Sequence, residues 1–329
     1  MRKKICMKKS FGIFFIMTIL IFCINISFSQ DYPKSPVQIV IPFGPGGLTD
    51  IFWRSISEYI GQNIKGTIVL VNKPGGGGVV GTSFALNSKP DGYTLFSANS
   101  DPLSMSPVFT PNVPYHPDKD VTYIAKLTTF AFTFSVRSDS QFKSLEEVVE
   151  FAKTNPKKLK CSVMGIGSTP HIILELFNRD AKVAITPIPF DSGGEAVTNL
   201  LGGHTDLCIT SLSSIKSQFL AKKVRILAFI SPKRLKEHPD IPTFAEKGYK
   251  KASIATDVGL AGPKGLSSSI VNKWYEALEK TLKDPKVVEI IDKLGGVVID
   301  FKSGDEYKKQ LLTNMEMFKE IVPTLPFKK

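Results

Sequence analysis

Apolar residues recur along the chain in short runs separated by amphipathic stretches, an alternation that predicts parallel strands covered by helices. The run Val37-Gln38-Ile39-Val40-Ile41 is nearly continuous in apolar residues, as a strand buried on both faces should be. Downstream, Leu48, Ile51, Phe52, Ile56 and either Tyr59 or Ile60 share one helical face, and Gly61 is the expected stop. Strands are predicted at 67–71 and 94–97 and a helix over 79–86, which makes a β-α-β-α-β lobe.

A second such series begins after Asp120. Ser144-Leu145-Glu146-Glu147 reads as a capping box opening a helix, and 160–164 as the next strand. Thr169 is the expected cap before a proline, Pro170, in the first helical turn. The strand over 184–190 holds Pro187 and Pro189, which confines it to a sheet edge. A helix around 196–201 stops at Gly202-Gly203, and strands follow at 206–210 and 224–229. The C-terminal part is helical: 269–282, then a helix from Asp284-Pro285 to Gly295, then one capped by Ser303-Gly304-Asp305-Glu306. If this tail packs back on the first lobe, the backbone crosses between lobes twice, through 127–137 and 254–261. The expected division is residues 30–126 plus 255–329 for lobe 1 and 127–254 for lobe 2, with the two crossings as a hinge.

The N-terminus sets the compartment. Arg2, Lys3, Lys4, Lys8 and Lys9 precede an apolar run over 11–26, shorter than the ~20 residues of a spanning helix, and Ser27-Phe28-Ser29 follow. Residues 1–29 read as a signal peptide cut before Gln30, which places the protein in the periplasm. Lipidation of Cys23 is the competing reading, opposed by the bulky Leu20-Ile21-Phe22. An uncleaved anchor is another, opposed by the lack of a stop-transfer flank in Asp31-Tyr32-Pro33. Taking the leader's five basic residues from the 42 Lys and Arg leaves 37 against 30 Asp and Glu. This modest surplus has no dense basic stripe interleaved with aromatics, so a nucleic-acid partner is not expected. Cys161 and Cys208 remain after export, in no CxxC and no Cys/His cluster, so no metal or cofactor is expected. Both lie in apolar strand-like runs and read as buried small residues rather than a disulfide.

The chemistry gathers where strands give way to helices, the places where open α/β sheets bind ligands on unpaired N–H groups. Those junctions carry small and hydroxyl residues: Phe43-Gly44-Pro45-Gly46-Gly47-Leu48-Thr49-Asp50, Ser97-Ala98-Asn99-Ser100, Gly165-Ile166-Gly167-Ser168-Thr169-Pro170-His171, Asp191-Ser192-Gly193-Gly194 and Thr210-Ser211. Glycines admit a ligand to the backbone and hydroxyls donate without adding charge, a combination suited to an oxyanion. Turn chemistry alone explains any one of them; their recurrence in both series is what points to a site. Pro74-Gly75-Gly76-Gly77-Gly78 lacks the Gly-Lys-[Ser/Thr] ending of a phosphate loop. An enzyme would have to use His171, the one histidine at a plausible pocket edge, with an acidic partner. In the first turn of a helix it reads more readily as a packing residue.

Taken in order, Val40 to Asp50, Val71-Asn72-Lys73-Pro74-Gly75-Gly76-Gly77-Gly78, Pro90-Asp91-Gly92-Tyr93-Thr94, Gly165 to His171, Pro189 to Ala196, Leu200 to His204 and Gly259-Leu260-Ala261-Gly262-Pro263 closely resemble the substrate-binding proteins of tripartite tricarboxylate transporters, the Bug family. The resemblance implies a two-lobed periplasmic-binding-protein fold (Venus flytrap, type II-like), each lobe a mostly parallel sheet flanked by helices. It implies a monomeric, non-enzymatic receptor that delivers a small carboxylate to large and small membrane permease subunits. An exported hydrolase or transferase using His171, or a sensory solute-binding protein, stands as the alternative. In that family the ligand carboxylate is held mainly by backbone amides, hydroxyls and waters from paired loops. Carried over, these are Phe43, Gly44, Pro45, Gly46, Gly47, Thr49 and Asp50 with Ser97 and Asn99 in the first lobe. Facing them are Gly165, Gly167, Ser168, Thr169 and His171, then Asp191, Ser192, Gly193, Thr210 and Ser211, with Asp257 on the second crossing. Thr210 stands where many members carry Asp, so a ligand's amino group loses a counter-charge. That tilts the expectation toward a di- or tricarboxylate.

Overall fold

The computed structural model describes residues 32 to 321 and residue 323, apart from 111, 166, 167, 191 and 232. The leader, Gly167 and Asp191 therefore lie outside the described residues.

In chain order the elements are β1 (Val37–Ile41), α1 (Leu48–Ile64), β2 (Ile68–Asn72), α2 (Val79–Leu86), β3 (Thr94–Asn99), a π-turn (Asp101–Met105) continued by α3 (Ser106–Phe109), and β4 (Val121–Phe130). They continue with β5 (Phe132–Arg137), α4 (Leu145–Thr154), β6 (Lys160–Met164), α5 (Thr169–Ala181), β7 (Thr186–Phe190), α6 (Gly193–Leu201), β8 (Leu207–Ser211), α7 (Leu212–Leu220) and β9 (Val224–Ile230). The last are β10 (Thr256–Pro263), α8 (Ser268–Lys283), α9 (Pro285–Leu294), β11 (Val297–Ser303) and α10 (Gly304–Ile321).

Two sheets result, a six-stranded one in the order β11-β4-β10-β3-β1-β2 and a five-stranded one in the order β7-β6-β8-β5-β9. Both are mixed, not mostly parallel. Only β2-β1-β3 and β7-β6-β8 pair in parallel, while β10 runs antiparallel to β3 and β4, and β5 antiparallel to β8 and β9. The cause lies in the crossings. β4 and β5 are separated by Ala131 alone, so the chain passes straight from one sheet into the other and both strands run against their neighbours. β4 stays in the first sheet to Phe130, and the return follows β9, with β10 back in the first sheet.

Local signals explain most boundaries. Ser144 accepts from the Glu147 N–H at 3.2 Å, and Asp284 caps α9 by accepting from the Lys286 N–H at 2.9 Å. β7, with its two prolines, is an edge strand. α1 runs one turn past Gly61, and Lys65 in the left-handed region (φ 58°) ends it. Gly61 instead serves the fold-back, since a Cβ there would lie 3.0 Å from the Gly66 carbonyl oxygen. The cap of α5 is Ser168, which accepts from the His171 N–H at 3.4 Å, not Thr169. Thr169 is the first helical residue, with its hydroxyl free to reach across the cleft. Separate apolar cores underlie the sheets, one around Val40, Phe96, Tyr307 and Leu311 and another around Phe134, Val163, Phe177 and Phe244.

Candidate ligand-binding site

Two contiguous cavities, of ≈ 600 and ≈ 540 Å³, lie between the ends of the two sheets and share Phe43, Asp101, Phe132, Met164 and Thr256. Three helix starts converge on the larger: Gly46 to Thr49 before and within α1, Ser192 to Gly194 at α6, and Ser211 with Ser213 and Ser214 at α7. Each start offers backbone N–H groups and the positive end of a helix dipole. Hydroxyls stand beside them. The Ser192 hydroxyl accepts from the Glu195 N–H at 3.1 Å, and the Ser211 hydroxyl is within 3.0 Å of Ser213 and 2.9 Å of Ser214. The smaller cavity is apolar in body, lined by Phe43, Met105, Phe109, Phe132, Met164 and Pro170 with Ser168 and Thr169 at its edge.

Charge is scarce. No Lys, Arg or His lines either cavity among the described residues, and Asp101 is the one charged side chain on the walls. Its Oδ1 accepts from the Thr169 hydroxyl of α5 and its Oδ2 from the Thr256 hydroxyl at 3.2 Å, so it joins the two sheets' residues across the cleft. Burial pushes its pKa up. Sequence reading stopped at Ser100, one residue short. An acid two residues past the end of β3, next to the marked junction, is the signal for it.

The expected residues divide into two layers. Phe43, Gly46, Gly47, Thr49, Ser168, Thr169, Ser192, Gly193 and Ser211 line the cavities. Ser97 and Asn99 do not: both are fully buried behind the wall, where the Trp53 indole donates to Ser97 (2.8 Å), Ser97 to Asn99 (2.7 Å) and the Asn99 amide to the Thr49 hydroxyl (3.2 Å). They act through Thr49. Asp50 also faces away, accepting from the Gly46 N–H at 2.9 Å, from Arg54 and from Asn72. The Arg54 hydrogen bond leads in holding its carboxyl down at about 2. Gly46, whose N–H donates to Asp50, sits at φ +76°, a conformation glycine adopts freely.

Gly44, Pro45, Gly165 and Thr210 are likewise not on the walls among the described residues. Thr210 is buried against Gly193, and its hydroxyl has no hydrogen-bond partner among the described residues. His171 is not at a pocket edge; it is buried, with Nε2 3.6 Å from Glu175 one turn on. Alternation around α5 puts Thr169 and Pro170 on the cleft and turns His171 inward. Asp257 sits in a closed network with Lys126 (2.7 Å), Thr129 (2.7 Å) and Gln310 (2.7 Å), and Lys126 also meets Asp300 at 2.7 Å. That network joins β4, β10, β11 and α10.

Two mixed α/β sheets with a polar cleft of helix starts between them define a two-lobed solute-binding protein of the periplasmic type. Within that class the chain belongs to the tripartite tricarboxylate transporter receptor family, whose model matches residues 52–324. It is 32% identical over 265 residues to a protein encoded in the tcbD–tcbE intergenic region of a Pseudomonas species, a match covering 80% of this chain and 79% of that one. Among solved structures it is similar to a periplasmic transporter protein, at 31% identity and a TM-score of 0.77 over 89% of this chain and 97% of the other. It is also similar to MatC from Rhodopseudomonas palustris, solved with bound malate, at 25% identity and a TM-score of 0.73 over 88% and 100% of the two chains.

Proposed function

We propose that this chain is a periplasmic receptor, without catalytic activity, that captures a small carboxylate in the interlobe cleft and delivers it to a membrane permease pair. The observation that carries the reading is the convergence of three helix starts and their hydroxyls on one cavity whose walls, among the described residues, hold no cationic side chain. Such a wall binds an oxyanion through aligned dipoles and N–H donors, with affinity moderate enough for release. The malate held by the structural relative accords with it. The lobes in this reading are the residues of the six-stranded sheet and those of the five-stranded sheet, hinged at Ala131 and at the segment between β9 and β10. Residues 1–29 act as the leader that exports a monomer. His171 has no place on the cavity wall, which weighs against the hydrolase or transferase alternative. The test is titration calorimetry with a panel of mono-, di- and tricarboxylates and amino acids, with each mixture examined for turnover by mass spectrometry. Binding at a Kd of order micromolar, about −8 kcal/mol, is expected with every ligand recovered unchanged. A panel in which no acid binds would refute it.

A further inference from the structure

Asp101 is half-buried on the wall common to both cavities, and among the described residues no Lys, Arg or His pairs with it. Its oxygens accept from two neutral hydroxyls, and the charged group that acts on it is another carboxylate, Asp257, already held by Lys126 at 2.7 Å. A carboxylate half withdrawn from water, with neutral hydroxyls as its partners, is favoured by a nearby cation, and a ligand made only of carboxylates would bring it a like charge instead. The dipolar wall from Ser192 to Gly194 and Ser211 to Ser214 can take one carboxylate, while the adjoining cavity offers Phe43, Met105, Phe109, Phe132 and Met164, an environment for hydrocarbon.

We infer that the ligand is a zwitterionic amino acid with an apolar side chain: its carboxylate meets the helix starts, its ammonium pairs with Asp101, and its side chain enters the apolar cavity. The inference rests on carboxylate capture in this cleft and names the class captured. The three parts of such a ligand match the three surfaces, and the net charge of the occupied site is that of Asp101 alone.

The test compares acids that differ only in the ammonium group. Calorimetry on the purified full-length chain would titrate L-phenylalanine against 3-phenylpropanoate and L-leucine against 4-methylpentanoate, with malate and citrate alongside. The amino acids are expected to bind at least tenfold more tightly than their deaminated partners. Asp101→Asn should erase that advantage while changing 3-phenylpropanoate affinity less than threefold. Equal affinity within the wild-type pairs, or tightest binding of malate or citrate, overturns the inference and leaves carboxylate capture standing. Failure of every acid to bind overturns both. The wild-type ratios decide the matter even if Asp101→Asn does not fold.

Discussion

Adjacent glycines at the start of α6 should respond in opposite ways to the same substitution. A Cβ on Gly193 would lie 2.6 Å from the Thr210 hydroxyl, 2.7 Å from the Ser214 hydroxyl and 3.2 Å from the Ser214 Cβ. Thr210 is fully buried, and its β-branched side chain can only exchange the hydroxyl for its methyl group in that space. The helix start must therefore move by roughly 0.8 Å to reach an ordinary separation of about 3.4 Å. Overpacking of this kind costs about 1–3 kcal/mol, or several degrees in Tm at roughly 2–4 °C per kcal/mol. The same shift carries the Gly193 and Gly194 N–H groups off the cavity, and at least tenfold weaker ligand binding is expected, about 1.4 kcal/mol. On Gly194 the nearest atom to a Cβ is the Ser192 hydroxyl at 3.9 Å, so nothing obstructs it. Gly194→Ala should raise stability by about 0.5–1 kcal/mol through lost chain entropy in the unfolded state. Differential scanning calorimetry of both variants, followed by isothermal titration with the best ligand of the panel, checks the pair. Native melting and native affinity in Gly193→Ala would refute the reasoning, because the α6 start would then be soft rather than a fixed wall.

Lys126→Met should cost about 3–5 kcal/mol in urea unfolding, because Asp257 is left buried without its cation. Asp50 titrates near 2 in the folded chain against an ordinary 3.8, so its stabilisation is complete above the unfolded value and is lost as pH falls through about 2. The Tm gap between wild type and Asp50→Asn should accordingly be constant near neutral pH and shrink below about pH 4, which melting scans across that range would measure. Burial pushes the thiol of Cys208 up to about 12 and that of Cys161 up as well, and both are free. Intact mass after iodoacetamide should show no adduct on these residues in the native protein and alkylation of both in guanidinium.

Much of this was legible before any coordinates. Val37–Ile41, Lys160–Met164 and Val79–Leu86 follow from periodicity and turn residues, since each element's pattern is satisfied locally. What escaped depends on distant partners. β11 was not read as a strand because Val297–Ser303 is only partly buried and alternates weakly; its pairing with β4 makes it one. The mixed sheets escaped for the same reason, since strand direction depends on where the chain re-enters. At the site, residue types and junctions were readable, and helical phase decided the rest. Thr169 and His171 are two residues apart and end on different sides of α5, one on the cleft and one in the core.

The position of β10 constrains how the chain can acquire its structure as it is made from the N-terminus onward. β3 and β4 have no direct pairing; β10 lies between them and bonds to both. The six-stranded sheet therefore cannot close before the C-terminal third has been made. The five-stranded sheet, drawn from the unbroken stretch Phe132 to Ile230, has every strand in hand well before then. A nascent chain halted near Ala252 would hold β1, β2 and β3 on one side and β4 on the other of an open slot. Lacking β11 as well as β10, such an intermediate presents one edge of β3 and both edges of β4 to any chaperone or protease that meets it.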